Sequence, residues 1–222
     1  MLDVHPPHHA VSTWRDFFIH IATIVVGLVI AVGLEQTVEY IHHRHQIDEM
    51  ESTLHTEGVE TQAIIAEDLQ TIDGAVKDTD AAIAALQTPA SKGGPAPMQQ
   101  PPEVNLLVPG NSAWMAARDS GLLALAPRYL VERYWKVYYI QETTVLQIRA
   151  TYANLDRIQA LASLRADALS LSPTDHDSLL VAYANYRESL KVLKIDLDLL
   201  DRTMGLALRN QTIDAKALYG KT

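Results

Sequence analysis

FFIHIATIVVGLVIAVGL, Phe17 to Leu34, is the stretch that decides the fold: eighteen residues whose only ionisable side chain is His20. At ~1.5 Å per residue a helix of this length covers ~27 Å, close to the ~30 Å hydrocarbon thickness of a bilayer. Hydrocarbon offers no partner to backbone N–H and C=O groups, so a lone span has to be α-helical. The run therefore predicts one transmembrane helix, preceded by a short polar leader and followed by a water-facing helical domain. Trp14 stands before the apolar run and Tyr40 beyond it, where amphipathic rings settle in the headgroup layer, and both are read as membrane anchors. Gly27 and Ala31 form a small-xxx-small pair that lets two helix backbones approach closely. His20 lies near the leader-side boundary and is read as an interfacial hydrogen-bonding group. The competing reading is a secretory signal cut near Ala31-Val32-Gly33, against which stand the length of the run and a leader without a basic n-region.

Composition narrows the function classes. The chain has 222 residues and a formal charge of -9, an acidic balance that argues against a nucleic-acid partner. There is no cysteine, which excludes disulfides, thiolate catalysis and Cys-ligated metal sites. About 180 residues follow the span, enough for one domain with a sizeable core.

Working outward from the span, residues 1–13 are a leader with three histidines and a Pro pair. Ser12 or Thr13 with Asp16 resembles a capping box that starts a helix just before Trp14. Residues 14–41 form the span with its interfacial flanks. Nothing up to Leu86 stops that helix except two tolerable glycines, Gly58 and Gly74, so residues 42–88 continue it as a long heptad helix. Ile65, Leu69, Ile72, Val76, Thr79, Ile83 and Leu86 alternate steps of four and three. Ile47, Met50 and Leu54 start a similar seam that is out of register across Gly58, which predicts a stutter or kink there. Residues 89–126 read as a Pro-rich linker and a short helix capped by Asn111 or Ser112 and closed by Gly121, with Trp114, Leu122, Leu123 and Leu125 as an apolar plug against the bundle. Residues 127–210 read as an antiparallel helical hairpin turning near residue 171, with Thr174 and Asp177 as the cap of its second helix. That helix holds the cleanest seam of the chain, in which Leu190, Leu193, Leu197 and Leu200 are the helix-packing residues. Residues 211–222 are a tail. The fold class is all-α, a bundle or coiled coil.

Candidate chemistry is sparse. His42, His43 and His45 follow the span, with Glu39 four residues before His43 and Glu49 four after His45, so that each pair shares a helix face. His42, His45 and Glu49 are the candidate metal ligands, weighed against interfacial or pH-responsive contacts. His5, His8 and His9 in the leader form a second candidate set on the other side of the span. Counting from the hairpin turn places Tyr152 near Tyr183 and Tyr186, either as core or as a ligand pocket. Asp196, Asp198 and Asp201 fall mostly on a solvated face. No nucleophile elbow, P-loop, dinucleotide fingerprint or HExxH is present, so no enzyme and no cofactor are expected.

Gly27-Leu28-Val29-Ile30-Ala31 followed by Glu35, then a long helix, then Ser120-Gly121-Leu122 leading to a Tyr-rich helix, resembles uncharacterised bacterial single-pass membrane proteins with an N-terminal anchor and a helical soluble domain. The resemblance implies a bacterial inner-membrane protein with the leader cytoplasmic and the bundle periplasmic. The leader here is not basic, and Arg15 and Arg44 balance across the span. The function expected is that of a structural or accessory subunit, whose partners are the lipid bilayer and either further copies of itself or a larger membrane complex. It would act through helix contacts and the exposed seam of its long helix. The alternatives are a periplasmic sensor or binding module that needs a signalling partner, and metal handling by the membrane-proximal histidines.

Overall fold

The computed structural model describes residues 13–87, 104–163 and 172–219, so the leader histidines, the Pro-rich stretch 88–103 and the turn near residue 171 lie outside the described residues. The chain is all-helical, with no strand among the described residues. In order, the elements are α1 (Trp14–Gln87), α2 (Ser112–Asp119), α3 (Leu122–Leu125), α4 (Arg128–Ser163), α5 (Pro173–Leu208) and α6 (Ala215–Tyr219). Two compact units divide the chain, one up to Glu49 and one from Met50 onward.

In the first unit, α1 starts where the capping box expects it. The Thr13 hydroxyl donates to Asp16 Oδ2 at 2.8 Å and accepts the Asp16 N–H at 3.4 Å. Every residue from Phe17 to Leu34 is exposed. Trp14 stacks on Phe17 at 5.6 Å and meets Phe18 edge-on at 5.1 Å.

In the second unit, α1 from Met50 onward packs with α4 and α5. Contacts between side chains fix the directions. Glu51 pairs with Arg133 and Glu57 with Tyr138, numbers rising together, so α1 and α4 are parallel. Gln62 bonds Asp201 while Asp80 bonds Arg187, so α5 runs against α1. Gln147 donates to the Ser189 carbonyl while Arg133 reaches Asn210, so α5 also runs against α4.

The buried positions explain why these helices close on one another. On α5 the seam Leu179, Tyr183, Tyr186, Leu190, Leu193, Leu197, Leu200, Met204 and Ala207 is buried throughout, with Leu190, Leu193, Leu197 and Leu200 at 0% exposure. On α4 the buried positions are 130, 134, 137, 141, 144, 148, 151, 155, 158 and 162, an unbroken four-three alternation together with Tyr138. Val145 and Tyr152 fall beside that line and are half-buried. On α1 the buried positions step 50, 54, 58, 61, 65, 68, 72, 75, 79, 82 and 86, with Glu57 buried beside Gly58. Two steps of four in succession across Leu54 and Gly58 are the stutter, and α1 passes through it as one helix. Leu69, Val76 and Ile83 flank this line, while Ala75 and Ala82 occupy it. Short side chains there let α5 approach with its leucines.

The three seams thus bury one another within a single chain. The expectation that the long helix leaves its seam free for docking is corrected on this point: Ile65 and Ile72 are 0% exposed. Other boundaries shift for local reasons. The cap of α5 is Ser172, whose hydroxyl donates to Asp175 Oδ2 at 2.6 Å and accepts the Asp175 N–H at 3.2 Å, so Thr174 lies already inside the helix. In the plug, α2 buries Ala113 and Ala117 rather than leucines, and Leu125 stays exposed.

Gly58 is a packing residue. A Cβ there would meet Met204 Sδ at 2.9 Å and Leu208 Cδ2 at 3.0 Å, whereas one on exposed Gly74 would meet nothing within 4 Å. Opposite effects should follow. Gly58→Val is expected to lower stability by about 1–3 kcal/mol through overpacking. Gly74→Ala is expected to raise it by about 0.5–1 kcal/mol through helix propensity. Urea unfolding followed by circular dichroism checks both signs.

Candidate functional site

The parallel pairing of α1 and α4 forces the chain to travel back between them, and residues 104–111 do so without regular structure. Backbone groups buried on that path need partners, and four side chains supply them. The Tyr152 hydroxyl accepts the Leu106 N–H at 2.8 Å, and Asp68 Oδ1 accepts the Leu107 N–H at 2.8 Å. Gln141 Nε2 donates to the Pro109 and Gly110 carbonyls at 3.1 and 2.7 Å. Glu57 then takes the start of α2. Its Oε2 accepts from Ser112 Oγ and the Ala113 N–H, both at 2.8 Å, and its Oε1 accepts the Tyr138 hydroxyl at 2.6 Å.

Asn111, at the N-cap position, makes no side-chain cap bond, so the carboxylate of a different helix caps α2. Negative charge is favourable at a helix N-terminus, and three donors satisfy one nearly buried group. Burial and the bond to Glu57 push the Tyr138 hydroxyl well above the usual phenol range. Burial also raises the Asp68 carboxyl above its ordinary value, outweighing the Leu107 N–H that pulls it down. Asp68 Oδ2 has no partner among the described residues.

With α2 held in this way, Trp114 stacks on Tyr138 at 5.2 Å, and Trp135 stacks on Tyr139 at 5.4 Å one step round α4. Between α2, the crossing segment and α4 lies a cleft of about 680 Å³. Its walls include Trp114, Met115 and Arg118 on one side and Trp135, Tyr139, Glu142 and Arg149 on the other. Trp135, Tyr139 and Leu146 are each more than half exposed.

The residues singled out in the sequence distribute differently. Trp14 and Tyr40 are 74% and 65% exposed, and a Cβ added at Gly27 would meet nothing within 4 Å. Ala31 lies on the same exposed helix. Leu190, Leu193, Leu197 and Leu200 pack inside the bundle. His43 Nε2 approaches Glu39 Oε1 at 3.9 Å, and the His42 and His43 rings are 6.5 Å apart. Among the described residues no three His, Cys, Asp or Glu are grouped so as to hold a metal ion. Tyr152 does lie near Tyr186 and adds to burial in raising its hydroxyl pKa. Neither these two nor Tyr183 lines the cleft. Asp201 is half-buried and accepts Gln62 Nε2 at 2.9 Å, and Asp196 and Asp198 are half-buried as well, so this acidic face is less solvated than expected.

Sequence reasoning passed over Glu57, Asp68 and Gln141 because a polar residue at a seam position reads as an interruption. It passed over Trp135 and Tyr139 because each follows a buried tyrosine by one residue and looks like the same core stripe. A strict count would have found Trp135, Tyr139, Glu142, Leu146 and Arg149 as a second four-three line.

No protein-family model, no curated protein and no solved structure matches this chain.

Two substitutions test the crossing. Glu57→Ala leaves the Ala113 N–H and the Tyr138 hydroxyl without their acceptor, and is expected to cost about 2–4 kcal/mol. Asp68→Asn keeps an acceptor for the Leu107 N–H and removes a charge whose burial is unfavourable. Because the folded pKa of Asp68 lies above its unfolded value, wild-type stability from this group is complete below about pH 4 and declines as pH rises through the raised pKa. Asp68→Asn should therefore gain on wild type in urea unfolding as pH rises from about 4 through the raised pKa, and a constant difference would contradict this account.

Proposed function

We propose that this chain is a membrane-anchored structural or accessory subunit of the bacterial inner membrane, built from one span and a helical bundle on the periplasmic side. The observation that carries the reading is the exposure of the whole apolar run Phe17–Leu34, on every face of its helix. In water such a surface would aggregate, whereas in lipid it is the solvated state. Two further details support it. The hydroxyls of Thr23 and Thr37 donate to the Ile19 and Gly33 carbonyls at 2.9 and 2.7 Å, so neither needs a partner from outside the helix. The Trp14, Phe17 and Phe18 rings cluster at one end of the run, which suits a headgroup boundary.

Since the bundle seams of α1, α4 and α5 are consumed within the chain, association falls to the span and to the remaining bundle surface. The face carrying Gly27 and Ala31 is the contact assigned to helix pairing in the membrane. In the bundle, the four-three spacing of the buried residues suits coiled-coil packing of the three long helices. A second reading, a periplasmic binding module that relies on a signalling partner, is favoured by the aromatic cleft beside α4.

Native mass measurement after gentle detergent extraction from native membranes tests the first reading. An integer multiple of the 24.6 kDa chain, or a stoichiometric complex with foreign chains, is the expected result. Gly27→Leu with Ala31→Leu should reduce the assembled fraction severalfold without changing the bundle's unfolding. A clean monomer would overturn the subunit reading in favour of the binding module.

A further inference from the structure

The chain has three tryptophans, and Trp114 and Trp135 both line the cleft between α2 and α4. Trp, Tyr, Met and Arg are the side chains most enriched where proteins bind partners, and all four types meet here. The volume, about 680 Å³, falls within the range of about 300–1,000 Å³ typical of small-ligand sites.

Polarity along α4 is ordered. Trp135 and Tyr139 come first, then Gln141 and Glu142, then Val145 and Leu146, then Arg149, so the wall presents rings, acceptors, an apolar step and a cation in sequence. Neither Glu142 nor Arg149 has an ion-pair partner among the described residues. Gln141 is 2% exposed, and its Nε2 is engaged by the Pro109 and Gly110 carbonyls. Its Oε1 is buried with no donor among the described residues.

The spacing limits what fits. Glu142 and Arg149 are seven residues apart, ~10 Å along a helix. An extended peptide of three residues spans ~10 Å between its charged ends. We propose that the cleft binds a short unblocked peptide of about three residues with an aromatic first side chain. Its terminal ammonium pairs with Glu142 and its carboxylate with Arg149. The aromatic ring lies against Trp135 and Tyr139, and Leu146 receives the third side chain. A zwitterion matches a site with one fixed charge of each sign, where a purely apolar ligand would leave both unpaired.

Isothermal titration of the full chain in detergent micelles with the tripeptide phenylalanyl-alanyl-leucine, free at both ends, tests the proposal. Saturable one-to-one binding is expected. Acetylating the amine or amidating the carboxylate should each weaken it about tenfold or more, as loss of a charged hydrogen bond does. Glu142→Gln should weaken the free peptide and leave the acetylated one unchanged, and Arg149→Gln should do the same for the amidated one. Both residues are exposed, so the thermal unfolding midpoint should stay put. No saturable heat up to about 1 mM would overturn the proposal. So would equal binding of free and doubly blocked peptides, which would mark an apolar surface indifferent to charge.

Discussion

Glu57 places a carboxylate in the seam of a helix whose other buried positions are mostly apolar, and the architecture around it follows from satisfying that group. One carboxylate receives Ser112, the Ala113 N–H and the Tyr138 hydroxyl, and so joins α1, α2 and α4 at a point. Removing water from an acidic group is unfavourable unless several donors replace the water, and a helix N-terminus supplies donors already aligned. Gly58 follows immediately and carries no side chain, so Met204 and Leu208 of α5 close over the same turn of α1. The stutter in the α1 seam falls here because one turn must present Glu57 towards α2 and Gly58 towards α5.

Much of this was legible before any coordinates, and the rest was hidden for a specific reason. The length of α1, its start at Thr13 and the leucine seam of α5 all follow from period, caps and the absence of breakers. The missed positions are polar: Thr61, Asp68, Gln141, Thr144 and Thr151 are all buried. Threonine can occupy a seam because its hydroxyl returns to its own helix, as Thr144 does to the Ile140 carbonyl at 2.9 Å and Thr79 to Ala75 at 2.6 Å. What remains exposed to the neighbours is then a methyl group. A count of apolar letters scores such positions as gaps, although in the folded chain they pack like valine. Asp68 and Gln141 differ, since their partners lie on the crossing segment, and a contact between residues 31 or more positions apart leaves no local trace.

The two units bury their apolar side chains by opposite rules. From Met50 onward each long helix hides one stripe and exposes the rest, the pattern of a protein in water. From Phe17 to Leu34 the helix is apolar on every side and hides none of it. A single α1 carries both patterns. Residues 35–49, where histidines and glutamates mix with Val38, Tyr40 and Ile41, are where one rule gives way to the other.

The cleft is a consequence of topology. Two adjacent parallel helices require a return segment, and where that segment is buried, as at Leu106 and Pro109, its backbone needs side chains to meet it. Asp68, Tyr152, Gln141 and Glu57 face inward for that purpose, which commits one side of α4 to holding the crossing chain. The crossing then ends in α2, only 8 residues long, beside an α4 of 36. A short helix cannot cover the whole flank of a long one. Trp114 shields Tyr138, while Trp135, Tyr139 and Leu146, on the adjoining line of the same helix, are left in the open. The demand that turns four polar side chains towards the crossing is therefore the same demand that leaves an aromatic wall beside it.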